Sequence, residues 1–298
     1  MKDKVIGWIG TGLMGNPMVK HLLNAGYKVN VHNRTKNKAV ELIEMGGTWV
    51  DTPAELAANS EVVVTIIGSP KDVEKCYFGE DGIFRGIKQG KGTVLIDMTT
   101  TKPSLAVKIS DEAAKMGSEF IDAPVSGGQL GAINGTLSIM IGGKKEIVDS
   151  VFPMFEVFGK NLVYQGKSGS GQHTKMCNQI TIAGTLIGVC EGLIYGLKAG
   201  LDLDKMLESI SKGAAGCWSL DVLAPKIVIG DFSPGFSVDN FVKDLTIALE
   251  EAEAMKLSLP GLALVKQLYI TIQAMDKGSS GNQSLYLAFE KLSNMDSK

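Results

Sequence analysis

The chain has 298 residues, about twice the ~150 of an ordinary domain, so one large or two ordinary domains are expected. At 44% hydrophobic and 21% charged it has the composition of a globular protein with length enough to bury a core. Thirty lysines and arginines against 32 acids leave a formal charge of −2, and no basic run offers a footprint for a nucleic-acid backbone.

In chain order, short β-branched runs alternate with helical patterns. Strands are predicted over 5–9, 29–32, 62–67 and 94–96, with helices over 14–25 and 38–45 among them. Further strands are predicted over 120–123, 137–141 and 162–164. Strands spaced by helices predict parallel β-α-β units and hence a doubly wound α/β sheet. From about Gly166 the strand signal is lost, and helices are predicted over 174–199, 204–211, 238–255, 262–275 and 284–292. Gly200 ends the first of these, Asp202 is placed to cap the second, and Pro260 is placed to open the fourth. The expected division is an α/β domain over 1–165 and an all-α domain over 166–298.

Residues 181–197 are mostly apolar, but Glu191 interrupts them. The run is short of the ~20 apolar residues a bilayer needs, so a buried helix and no membrane partner are expected. Within it Gly184, Gly188, Gly192, Gly196 and Gly200 recur every fourth residue. Each interior glycine costs roughly 1 kcal/mol relative to alanine. Steps of four follow one ridge of a helix, so close packing is expected, within the chain or across the interface of a homodimer or homotetramer. Cys76, Cys177, Cys190 and Cys217 form no Cys-x-x-Cys pair and read as free, buried thiols. His21, His32 and His173 lack ligand spacing, so no metal is expected. The opening MKDKVIGWIG carries no secretory pattern, and a cytoplasmic location is the expectation.

The first chemical signal is Gly10-Thr11-Gly12-Leu13-Met14-Gly15, a G-x-G-x-x-G between the first strand and the first helix. Gly10 permits the tight turn, Gly12 lets a pyrophosphate reach the backbone, and Gly15 lets helix and sheet touch. The helix start offers free N–H groups to the phosphates. At the end of the second strand stands His32-Asn33-Arg34-Thr35-Lys36, without the acid that NAD-preferring sites place on the ribose hydroxyls. Arg34 would fork onto a 2′-phosphate, with Asn33, Thr35 and Lys36 adding donors. NADP(H) is therefore the expected cofactor, with NAD(H) second.

These residues, with Asp122-Ala123-Pro124-Val125-Ser126-Gly127-Gly128, Gly169-Ser170-Gly171 ahead of Lys175 and Asn178, and Lys243-Asp244-Leu245, resemble the β-hydroxyacid dehydrogenases. That group includes 3-hydroxyisobutyrate dehydrogenase and tartronate semialdehyde (2-hydroxy-3-oxopropionate) reductase. The resemblance covers essentially the whole chain. It implies a Rossmann domain followed by a helical one, and hydride transfer between a nicotinamide and a small carboxylate-bearing hydroxyacid or aldehyde. Ser126, Gly127 and Gly128 match the segment that anchors the substrate carboxylate. Thr99 and Thr100 match a polar pair near the nicotinamide, and Lys243 a lysine closing over the cofactor or the active site. Lys175 matches the catalytic lysine, whose ammonium stabilises the developing alkoxide and donates its proton. Asn178, three residues on and on the same helix face, is expected to contact the substrate or orient the lysine. Gln179 stands where several relatives carry Asn, and Ile67-Gly68 where many have Leu-Pro. Gln179 is expected at the substrate, and Ile67 and Gly68 at the cofactor. Phe236 and Trp218 read as core.

A lysine near ~10.4 makes oxidation the alkaline direction. Two other readings are imine reduction on a similar fold and a non-catalytic NADP-binding scaffold; the intact Lys175 argues against both. The choice among 3-hydroxyisobutyrate, tartronate semialdehyde, glyoxylate and succinic semialdehyde stays open, because an extra methylene is worth only ~1–3 kcal/mol in a pocket.

Overall fold

The structure, a computed structural model, describes residues 1–295; the last three residues of the expected helical domain lie outside the described residues. The chain divides into two compact units, Met1–Lys175 and the residues from Met176 onward.

The first unit is a Rossmann-type α/β domain. It begins with β1 (Val5–Ile9), α1 (Gly15–Asn24), β2 (Lys28–His32), α2 (Val40–Glu44), β3 (Thr48–Trp49) and α3 (Pro53–Ala58). There follow β4 (Val62–Thr65), α4 (Pro70–Phe78), α5 (Ile83–Gly86), β5 (Val94–Asp97), α6 (Pro103–Lys115) and β6 (Glu119–Asp122). It closes with β7 (Val125–Ser126), α7 (Gly128–Ile133), β8 (Leu137–Gly142), α8 (Lys145–Phe155) and β9 (Gly159–Gly166). The sheet runs β3-β2-β1-β4-β5-β6-β8-β7, with β9 on β8. Strands β4 and β5 are buried throughout because both faces are covered. Alternate residues Trp8, Val64 and Ile96 enter the cluster with Met18 and Phe158, while Val63 and Leu95 enter the one with Leu56 and Tyr77.

Two expectations are corrected here. The strand predicted over 62–67 ends at Thr65, and Ile66 and Ile67 go into the loop beyond the sheet. The sheet is also not parallel throughout: β8 lies antiparallel to β6 and β7. The segment joining Ser126 to Leu137 is shorter than the dozen or so residues that a parallel crossover needs, so the chain turns straight back.

The second unit is helical. It takes most of α9 (Ser170–Lys198), then α10 (Leu203–Ile210), α11 (Ala224–Val228), α12 (Val238–Ala254), α13 (Pro260–Ala274) and α14 (Tyr286–Leu292). Gly200 adopts the left-handed conformation expected past a helix end (φ 74°). The Asp202 carboxylate accepts from Lys205 N at 3.1 Å, capping α10 as predicted, and Pro260 opens α13. The core gathers Leu186, Cys190 and Leu193 of α9 with Phe241, Leu245, Tyr269 and Ile272.

Helix α9 departs from its expected burial. By length and composition it is apolar enough to cross a membrane, yet only 39% of its most apolar window is buried. Cys177, Thr181, Gly184, Gly188, Glu191, Tyr195 and Lys198 form one exposed stripe, so the helix buries one face rather than all of itself. Of the ridge glycines, Gly196 meets a close neighbour: a Cβ there would stand 2.8 Å from Met206 Sδ. Beside Gly184, Gly188 and Gly192 there is open space. The cysteines are all free, but Cys190 is the buried one; Cys177 is exposed and Cys76 and Cys217 are intermediate.

Candidate active site

The three motif glycines do different work. Gly10 has φ 104°, a conformation that favours glycine, and a side chain there would collide with the Ile66 carbonyl oxygen. A side chain on Gly15 would strike the Gly10 carbonyl, so α1 packs directly on the turn. Beside Gly12 nothing lies within 4 Å, and Gly12 and Leu13 are exposed. This is the open cradle a pyrophosphate requires. The buried Thr11 hydroxyl has no hydrogen-bond partner among the described residues. An orphaned donor beside an open backbone fits a phosphate-bearing dinucleotide.

The second strand's end braces this cradle. Gly10 N donates to His32 O at 2.9 Å, and Thr11 N to Asn33 Oδ1 at 3.2 Å. Asn33 Nδ2 in turn donates to Thr35 O. Asn33 is therefore a loop brace as well as a candidate ribose contact. Arg34 is 92% exposed at the side chain and 4.0 Å from Asp72 of α4, free to swing onto an anion at little cost.

At the carboxyl ends of β4 and β5 lies a buried network. Asp97 is fully buried; its Oδ1 accepts from Thr65 Oγ1 (2.8 Å) and Thr99 N (3.0 Å). Its Oδ2 has no hydrogen-bond partner among the described residues. Burial pushes the Asp97 carboxyl up to about 6, against hydrogen bonds from Thr99 and Thr65 that pull it down. Thr99 Oγ1 accepts from Ile67 N at 2.9 Å. Thr99 and Ile67, both expected at the cofactor, are thus joined directly. Gly68 is exposed next to them, with Ser69 capping α4 through Asp72 N.

The start of α9 is fastened to the same sheet edge. Asp122, paired in register with Asp97, accepts from Gly169 N (2.7 Å) and Gln172 N (2.8 Å). Burial raises its pKa above the usual carboxylate range while these backbone donors lower it. Gln172 is fully buried and spans the β5 loop, donating to Thr99 O (2.7 Å) and accepting from Thr101 N (3.0 Å). The first turn of α9 is thus hydrogen-bonded into the α/β unit. Lys175 follows, with 7% of its surface exposed. Ser126, ending β7, and the exposed Gly127 and Gly128 carry the expected anchoring segment. Both glycines have positive φ, 128° and 62°.

In the helical unit, Asn178 Nδ2 donates to Gln179 Oε1 (2.7 Å) and Gln179 Nε2 to Asp244 Oδ2 (2.6 Å). Lys243 Nζ stands 2.9 Å from Asp244 Oδ1. The structure therefore brings Asn178, Gln179 and Lys243 together through Asp244. Gln179 is buried with both the oxygen and the nitrogen of its amide engaged, which makes it a holder of Asn178. Phe236 packs against Phe241 as expected, whereas Trp218 is 64% exposed and is not core.

Sequence reasoning missed the roles of Asp97, Asp122, Gln172 and Asp244. An acid closing an otherwise apolar strand, as in Val94–Asp97 and Glu119–Asp122, is a readable signal for the first two. A helical glutamine gives none.

Residues 5–166 match the NAD-binding domain of 6-phosphogluconate dehydrogenase. Residues 169–289 match the NAD-binding domain of NADP-dependent 3-hydroxyisobutyrate dehydrogenase. A probable 3-hydroxyisobutyrate dehydrogenase-like mitochondrial protein of Arabidopsis thaliana is 51% identical over 97% of this chain and 86% of its own. The 2-hydroxy-3-oxopropionate reductase of Escherichia coli is 34% identical over 97% and 98%. The structure of Mycobacterium tuberculosis 3-hydroxyisobutyrate dehydrogenase with L-serine superposes with a TM-score of 0.88 at 26% identity, covering 96% of this chain and 99% of that one.

Proposed function

The chain belongs to the 3-hydroxyisobutyrate dehydrogenase and 2-hydroxy-3-oxopropionate reductase family of NAD(P)-dependent oxidoreductases, and we propose that it interconverts a small 3-hydroxy acid and its semialdehyde with NADP(H). The observation that carries this reading is the burial of Lys175. A helical lysine is ordinarily a solvated charge; one kept out of water at the head of α9, three residues beyond the Gln172 that is bonded to the Thr99 turn, supports a role in moving a proton.

The cofactor would be held by the open backbone at Gly12, the orphaned Thr11 hydroxyl, and Asn33, Arg34 and Thr35. Arg34 favours a 2′-phosphate, since its guanidinium forks onto phosphate oxygens. When bound, the nicotinamide supplies or takes up the hydride. Lys175 does the rest of the chemistry. Its ammonium stabilises the alkoxide forming on the reduced carbonyl and donates the proton; its neutral amine removes that proton in oxidation. Ser126 and the backbone of Gly127 and Gly128 hold the substrate carboxylate, where side-chain-free residues permit a close approach. The L-serine held by the M. tuberculosis relative is a three-carbon carboxylate with a 3-hydroxyl, which supports this substrate class. The open face of α9 at Gly184 and Gly188 is the surface we assign to a homodimer or homotetramer contact.

The test is nicotinamide oxidation against a panel of small carboxylate-bearing aldehydes, with NADPH and NADH in parallel. Turnover of one aldehyde, faster with NADPH, is expected. Equal use of both cofactors would overturn the NADP(H) assignment. Measurable NADPH binding with no aldehyde turned over would overturn the reaction.

A further inference from the structure

We infer that Gln172 is a positioning residue that fixes Lys175 against the cofactor-side turn at Thr99–Thr101. The inference rests on the reading of Lys175 given above. Gln172 makes no contact with solvent, and its amide brackets Thr100, donating to the carbonyl of Thr99 and accepting from the N–H of Thr101. A primary amide alone among side chains of this size offers an acceptor and a donor side by side. The match to a backbone carbonyl and a backbone N–H two residues apart uses both.

The same residue is held from its other side. Its own N–H donates to Asp122, whose second oxygen takes the N–H of Gly169. A side chain on Gly171 would crowd the Asp122 carbonyl oxygen, at 2.6 Å, so the first turn of α9 lies directly on the sheet edge. Lys175 is three residues beyond Gln172 and on the same helix face. At the far end of the bridge, Thr99 takes the Ile67 N–H on its hydroxyl and gives its own N–H to Asp97. The residues expected at the nicotinamide and the proton donor are thereby one hydrogen-bonded piece. The spacing between hydride transfer and protonation is set by the Gln172 amide. A misplacement of about 1 Å in such a pair can cost on the order of 10²-fold in rate.

The experiment is a double-mutant cycle on the full-length enzyme, using NADPH and the aldehyde turned over best in the panel. Gln172→Met keeps the side-chain volume and removes both bonds. Gln172→Glu keeps the acceptor for Thr101 N–H and loses the donor. Gln172→Met is expected to lower kcat by about 10- to 100-fold while NADPH affinity and KM stay within about threefold, and Gln172→Glu is expected to fall between. In a Lys175→Ala background the same substitutions are expected to cost less than about twofold, because the group they position is gone. A folded Gln172→Met with wild-type kcat would overturn the inference, as would an equal loss with and without Lys175. Failure of both variants to fold would assign Gln172 to the scaffold and overturn it as well. Wild-type turnover by Lys175→Ala alone would instead sink the general-acid reading, and is read before any Gln172 variant.

Discussion

Each unit buries carboxylates, but it surrounds them differently. In the α/β unit, Asp97 and Asp122 sit side by side on neighbouring strands and are met by backbone N–H groups and a hydroxyl. Burial outweighs those bonds, and both carboxyls titrate above the usual range. In the helical unit, Asp244 is met by an ammonium, Lys243, and by the Gln179 amide. The first arrangement pins main chain: the end of β5, the loop after it and the first turn of α9. The second aligns side chains, running from Asn178 to Lys243. Buried acids facing backbone build a platform, and a buried acid facing a cation orients the groups around it.

That contrast is most easily broken at Asp122. Replacing it with alanine leaves the Gly169 and Gln172 N–H groups buried without acceptors and removes the cap of α9. A loss of about 2–4 kcal/mol is expected, read as a lowered denaturant midpoint; Asp122→Asn, which keeps one acceptor, should lose about half as much. A stability unchanged by Asp122→Ala would remove the platform from the account.

The equivalent cut in the helical unit is smaller. Asp244→Ala should cost about 1–3 kcal/mol, the penalty of a buried amide left without its acceptor. It should also raise the substrate KM more than the NADPH KM, because Asn178 loses its holder. An effect on NADPH alone would contradict the orienting role.

Asp97 sharpens the contrast by reversing sign. A carboxyl that titrates near 6 when folded, against about 3.9 when unfolded, holds its proton more tightly in the folded protein. Folding stability therefore falls as pH rises between those values and levels off above the folded one. Asp97→Asn keeps an acceptor for Thr99 N–H and carries no charge. It should be more stable than wild type by about 1–3 kcal/mol at pH 7, roughly two units at about 1.4 kcal/mol each. The advantage should vanish by about pH 4, and thermal melts at pH 4 and pH 7 decide it. The smallest effect belongs to Gln179→Asn, whose shorter amide cannot hold both Asn178 and Asp244. We expect less than about 1 kcal/mol in stability, with a change in substrate preference across the aldehyde panel.

How much of this was readable in the sequence follows from what each feature depends on. The glycine turn, the Asp202 cap and the Pro260 start are local, and a few residues of sequence determine them. The reversal at β8 was not legible, because a strand's apolar pattern does not state its direction; the short link after Ser126 does. Hydropathy promised a buried α9, yet it counts apolar residues without asking what covers them, and the stripe through Gly184 and Gly188 stands open. At the site, Lys175 was legible through its motif and its burial was not. Gln172 was invisible, since only the tertiary placement of Thr99 and Thr101 makes its amide structural.

In the proposed reaction Lys175 supplies the proton as hydride reaches the carbonyl. The most direct test of that role is kcat for NADPH-dependent reduction by Lys175→Ala, alongside NADPH affinity. A loss of at least about 100-fold in kcat is expected, with NADPH bound as tightly as by the wild type. Turnover within about tenfold of wild type would contradict it.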